Sequence, residues 1–193
     1  DLLANSLETA ALTEDGFVDV GQGPGHPGGA DIDWLTISNA EQSVIDDVAR
    51  WALQTRHVPE LRFINRYHDD PRYIAALAES VRAHWKTEGR GELLLMSFHG
   101  MPERTLHLGD PYHCECLKTG RLLAEALGLR KDEWLVSFQS RFGKAKWLEP
   151  YTEPSLIALA QGGCKSVDVI CPGFSADCLE TLEEINQEAR EAF

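Results

Sequence analysis

The chain has 193 residues, a formal net charge of −13 and five cysteines, and 43% of its residues are apolar. That apolar fraction supports a real core in one domain or one and a part, while the acidic balance excludes a nucleic-acid binder, whose phosphate contacts need clustered Lys and Arg. An odd set of cysteines (Cys114, Cys116, Cys164, Cys171, Cys178), none spaced C-x-x-C, speaks against a disulfide framework and for a reducing compartment, the cytoplasm.

The first forty residues carry seven Asp or Glu and no Lys or Arg. Their Gly/Pro-rich stretch at residues 21–29 lacks the K[ST] ending of a phosphate loop, so residues 1–40 are expected to be flexible or poorly packed. Ser38 or Asn39 is expected to cap a helix running to about residue 56, with Val44, Ile45, Val48, Trp51 and Ala52 on one face. Leu61-Arg62-Phe63-Ile64 is a short strand candidate. Asp70 then caps a helix with Pro71 at its first position and an apolar stripe of Ile74, Leu77, Ala78 and Val81.

From Leu93 the pattern changes. Three apolar runs, at residues 93–98, 134–138 and 167–171, read as strands buried on both faces. Helices are expected over residues 111–127, ended by Gly128, over 154–160, and from Ser175 to the end of the chain. Alternating strands and helices predict an α/β fold, a Rossmann-like parallel sheet flanked by helices. Ligands of such sheets bind beyond the C-terminal strand ends. Attention therefore falls on His99-Gly100-Met101-Pro102, on Gln139-Ser140-Arg141-Phe142-Gly143 and on Pro172-Gly173-Phe174. No apolar run is long enough to span a membrane and no signal peptide opens the chain, so any membrane contact is expected to be peripheral.

Three ordered segments carry a family likeness. They are Ser97-Phe98-His99-Gly100-Met101-Pro102; Phe138-Gln139-Ser140-Arg141-Phe142-Gly143 with Trp147, Pro150 and Thr152; and the run from Cys171 to Leu182. With Tyr67-His68-Asp69 upstream, the chain from about Ala49 to Phe193 resembles the C-terminal half of a ferrochelatase. The resemblance implies insertion of ferrous iron into protoporphyrin IX to form protohaem, on a chelatase-like fold of two Rossmann-like halves. Residues 41–90 would then connect from the first half, and residues 91–193 would be the second, catalytic half. The family's N-terminal half, closing strand and closing helix have no counterpart here, so the fold is expected to be incomplete and the activity of the chain alone uncertain.

The resemblance also implies site residues. His99 would be the base and Glu180 the catalytic acid. His99 and the i, i+4, i+8 series Glu180, Glu184 and Glu188 would be the groups that handle the metal. Phe98, Met101, Arg141, Trp147 and Phe174 would contact the porphyrin. Physical chemistry agrees in kind: two pyrrole N–H protons must leave when the metal enters, and histidine is suited to take them near neutral pH. Each residue also has a plainer reading. His99 could only cap a strand, the acids could be a solvated face like Glu183 and Glu191, the aromatics could be core, and Arg141 could make a surface ion pair. Asp177 reads as structural first. No cofactor beyond substrate Fe2+ is expected, and no iron–sulfur cluster, because the cysteines lack cluster spacing. The alternatives are a chelatase for another tetrapyrrole or metal, and a non-catalytic porphyrin-binding fragment.

Overall fold

The computed structural model of the chain describes residues 39–61 and 66–193. The expected flexible segment lies outside the described residues except for Asn39 and Ala40. Arg62, Phe63 and Ile64 of the strand candidate, and the side chains of Val44 and Ile45, also lie outside them.

Helix α1 spans Asn39–Gln54. On its expected apolar face Val48 and Ala52 are only half-buried, and Trp51 is 36% exposed. Helix α2, Pro71–Glu88, begins as its sequence dictates. The Asp70 carboxylate accepts the Arg72 N–H at 2.8 Å, Pro71 sits in the first turn, and Ile74, Leu77, Ala78 and Val81 are buried. Burial of this stripe continues the core across residue 90, because Leu77, Ala78 and Val81 belong to the same apolar cluster as Leu94 and Met96.

Strands β1 (Leu93–His99), β2 (Trp134–Gln139) and β3 (Val167–Ile170) form a parallel sheet in the order β2-β1-β3. Strand β1 pairs with β2 as far as His99 opposite Gln139, but with β3 only as far as Met96 opposite Ile170. The two-residue side-chain period divides the sheet between two cores. Leu94, Met96, Phe98, Val136 and Phe138 face one cluster, completed by α2 and by helix α4, Tyr112–Leu127. Leu95, Val167, Val169 and Cys171 face the other, completed by Leu156 of helix α5 (Thr152–Gln161) and by Ile185 and Ala189. Gly120 sets the approach of α4, since a Cβ there would come 2.5 Å from Val136 Cγ2. Gly128 ends α4 in the left-handed region, φ 69°. A short helix that the sequence pattern does not announce, α3 (Glu103–His107), follows β1.

The last helix departs from expectation in place and in kind. It is a π-helix over Glu180–Ala189, continued by α6 (Arg190–Ala192), rather than an α-helix from Ser175. Local side-chain bonds hold the preceding residues out of the helix. The Thr181 hydroxyl accepts the Cys178 N–H at 3.0 Å and lies 3.2 Å from the Asp177 carboxylate. Asp177 therefore precedes the helix instead of occupying its first turn. The π turn is wider than the ~3.6 residues of an α turn, so residues four apart lie closer to one line. The buried positions Thr181, Ile185 and Ala189 have that spacing.

Candidate active site

The three post-strand segments meet at the C-terminal edge of the sheet, and the polarity of one sheet face changes there. Leu95 and Leu135 give way to Ser97, Ser137 and Gln139 along β1 and β2. The Ser97 hydroxyl donates to Gln139 Oε1 at 2.7 Å. Thr152 Oγ1 lies 2.8 Å from the Ser97 hydroxyl and 2.9 Å from that of Ser137. Ser97, Ser137, Gln139 and Thr152 are buried, so this network fixes the strand ends against α5 with its polar groups paired.

His99 is the last residue of β1, and its ring is half-buried between Trp147 and Phe174, with ring centroids 6.4 and 6.3 Å away. Its Nδ1 lies 2.7 Å from the Gly100 carbonyl oxygen. A carbonyl can only accept, so Nδ1 carries the proton, and in the neutral ring Nε2 keeps the lone pair. The backbone under the ring is tied from two sides. Tyr112 donates its hydroxyl to the His99 carbonyl at 2.7 Å, and the Gly100 N–H donates to the Gln139 carbonyl at 2.8 Å. Burial pushes the Tyr112 phenol well up, so it stays a neutral donor. Tyr73 does the same for the turn after β3 by donating to the Pro172 carbonyl. The loops after β1 and β2 also pair, through Leu148 N–H to the Met101 carbonyl at 2.8 Å and Glu103 N–H to the Lys146 carbonyl at 2.9 Å.

The expected acids fall on one stripe of the π-helix, with Glu180 and Glu184 half-buried and Glu188 exposed. Glu180 is tied through its backbone, its carbonyl accepting Gln139 Nε2–H at 2.9 Å. Burial, and then the Glu180 carboxylate beside it, hold the Cys178 thiol above its ordinary range. Burial pushes the Cys171 thiol up further. Glu184 turns to Ser140, whose N–H and hydroxyl donate to its two oxygens at 2.5 and 2.7 Å. Among the described residues, no three His, Cys, Asp or Glu side chains are grouped closely enough to hold a metal ion by themselves.

The expected porphyrin contacts divide. Trp147 and Phe174 flank His99. Phe98 and Met101 belong to the core beneath the site rather than to its wall, because Phe98 points to the sheet face opposite His99, is 0% exposed and packs 6.5 Å from Phe138. Arg141 is exposed, its guanidinium lying 5.1 Å over the Tyr151 ring. Sequence reasoning missed Phe142, an exposed aromatic set edge-on to Trp147 at 4.9 Å. It also gave no role to Gln139, Ser140 or Tyr112. Polar residues ending an otherwise apolar strand were the available signal for the first two.

Comparison with known proteins gives this arrangement a family context. A model of the ferrochelatase family matches residues 38–193, starting earlier than the motifs indicate. Three curated relatives, each named ferrochelatase, align over 151 residues and 78% of this chain. The protein from Polaromonas sp. (strain JS666 / ATCC BAA-500) is 69% identical, that from Methylibium petroleiphilum 68%, and that from Azoarcus sp. (strain BH72) 63%. The aligned part covers 41–42% of those relatives, so the chain spans about two fifths of their length.

Proposed function

The chain belongs to the ferrochelatase family, and from that premise we propose that it carries the metal-inserting wall of an enzyme that places ferrous iron in protoporphyrin IX to form protohaem. One observation carries this reading most directly: a half-buried histidine on the end of the central strand, with Nδ1 engaged by the Gly100 carbonyl. Nε2 is then the basic atom. It takes a pyrrole proton as the metal enters, and the resulting imidazolium passes the proton on to solvent or to a carboxylate. Two N–H protons leave for each Fe2+ inserted, so the charge of the macrocycle core is balanced without a redox step. Glu180 is the acid partner, its backbone held by Gln139. Glu188, exposed at the outer end of the stripe, meets the hydrated cation first. Phe142, exposed and set edge-on to Trp147, offers aromatic surface suited to a flat macrocycle, while Trp147 and Phe174 are buried on either side of His99 and hold its ring; Arg141 suits a propionate.

In the same reading residues 91–193 are the catalytic half, residues 41–90 lead into it from the first half, and iron enters as substrate with no iron–sulfur cluster. No described helix is long and apolar enough to cross a membrane; residence in the cytoplasm, with at most peripheral membrane contact, goes with the proposal. The test is ferrous iron insertion into protoporphyrin IX by the chain alone and by the chain joined to the N-terminal part of the Polaromonas relative. His99→Ala should lower the rate by about 10²–10⁴-fold, the usual weight of a general base. Near-normal insertion by His99→Ala would refute the assignment. Porphyrin binding without insertion by either form would favour a binding fragment.

A further inference from the structure

The contacts of Glu184 point to a different role from that of its neighbours on the stripe. Both its oxygens are taken, one by the Ser140 N–H at 2.5 Å and the other by the Ser140 hydroxyl at 2.7 Å. Ser140 holds a φ of 62°, a left-handed conformation that side-chain-bearing residues rarely adopt. The preceding residue engages the same helix four positions earlier, through Gln139 Nε2–H to the Glu180 carbonyl at 2.9 Å. Gln139 is in turn fixed to two other strands' ends, since its Oε1 accepts the Ser97 hydroxyl at 2.7 Å and lies 3.5 Å from Cys171 Sγ. Two consecutive residues at the end of β2 therefore grip the π-helix at two points about one turn apart.

We propose that Glu184 is a positioning residue: its carboxylate latches the π-helix to the Gln139–Ser140 corner and so sets the Glu180 carboxylate relative to His99. The inference rests on the proposed function for what is positioned, but the latch itself rests on the contacts alone. Glu184 acts as an acceptor of two hydrogen bonds, and its charge is not required for that work. An amide in its place can still accept from the Ser140 N–H through its oxygen. The Ser140 hydroxyl can then turn and accept from the new NH2. An alanine can do neither. A carboxylate that ligates iron or relays protons makes the opposite demand, since an amide is as useless to it as a methyl group.

The experiment compares Glu184→Gln, Glu184→Ala, Ser140→Ala and the double Ser140→Ala/Glu184→Ala variant in the full chain, alone and joined to the N-terminal part of the Polaromonas relative. Two readouts are taken: amide hydrogen exchange across residues 180–189, and steady-state insertion of ferrous iron into protoporphyrin IX. For a latch, Glu184→Ala lowers kcat by about 10–100-fold, as loss of a supporting hydrogen-bond partner typically does, and leaves the KM for iron unchanged. Glu184→Gln restores kcat to within about threefold, the range over which a hydrogen bond of modest net worth is kept. Ser140→Ala falls in the same direction, and the double variant is no worse than Glu184→Ala. Exchange of the π-helix amides quickens in Glu184→Ala and not in Glu184→Gln. The proposal is overturned if Glu184→Gln is as impaired as Glu184→Ala, if its KM for iron rises while the helix exchanges normally, or if Glu184→Ala leaves exchange unchanged. Should the parent chain insert no iron in either form, the functional reading fails while the exchange results still decide the latch.

Discussion

Gly100→Ala gives a sharp test of how closely His99 is seated. A Cβ at Gly100 would lie 2.6 Å from the Gln139 carbonyl oxygen and 3.0 Å from Trp147 Cε3. Favourable contact needs about 3.5 Å, so one neighbour must retreat by close to an ångström. Neither retreats easily. The carbonyl belongs to a buried strand end, and the Trp147 side chain is almost fully enclosed. Moving the carbonyl breaks the 2.8 Å bond from the Gly100 N–H, worth about 0.5–1.5 kcal/mol net, and the overpacking adds about 1–3 kcal/mol. The expected loss is about 2–4 kcal/mol, readable as a lower urea midpoint at unchanged slope. Gly173→Ala is the control at the same edge, because a Cβ there meets only Phe98 at an ordinary 3.7 Å. A Gly100→Ala loss below about 0.5 kcal/mol, the size of an ordinary surface change, would refute the reasoning. So would an equal loss at Gly173→Ala.

Three further outcomes are expected. If the acids act in line, Glu180→Gln should depress iron insertion most and Glu188→Gln least, the latter chiefly through apparent metal affinity. Equal small effects at Glu180 and at exposed Glu183 would identify a merely solvated face. Thiol labelling should reach exposed Cys114 first and buried Cys116 and Cys171 only on unfolding, since burial pushes the Cys116 and Cys171 thiols up and removes thiolate; early labelling of either in the native chain would count against the packing. The Arg72 side chain, and then its N–H, lower the Asp70 carboxyl to about 2. A lowered folded-state pKa stabilises above the unfolded value of about 3.9 and fades as pH falls toward 2. The stability gap between the parent and Asp70→Ala should therefore be full near neutrality and narrow from about pH 4 downward, and a gap constant down to pH 2 would contradict the cap.

Sequence order revealed the fold where one local signal dominated. The run Leu93-Leu94-Leu95-Met96, short and without polar alternation, fits a strand covered on both faces, and Asp70-Pro71 and Gly128 mark helix ends through backbone chemistry. The same reading brought the three post-strand segments to one edge of the sheet, because the strands of a parallel sheet end on the same side. Phe98 went astray for a simple geometric reason. It lies between Ser97 and His99 in sequence, but alternation sends it through the sheet to the other core. The π-helix was missed because buried positions four apart, such as Thr181, Ile185 and Ala189, fit one face of an α-helix equally well. The Glu184–Ser140 pairing was illegible in principle, since it joins residues 44 apart and depends on a left-handed serine that no pattern announces. For the same reason the expected metal-handling series placed Glu184 in line between Glu180 and Glu188, with no sign that Ser140 engages both of its oxygens.

The strand order β2-β1-β3 has a consequence for how this site can be retuned. His99 stands on the middle strand, flanked by both others below it and pinned by Tyr112 from α4. Displacing it would disturb two cores at once. Glu180 instead hangs on a helix fastened at a corner by side chains that a single substitution can change. In the proposed function the base is thus an anvil and the acid an adjustable hammer. Variants with altered metal preference should accumulate at the corner and along the outer helix, leaving the sequence from Leu93 to His99 nearly untouched, because only there can geometry shift by fractions of an ångström without the sheet having to be rebuilt.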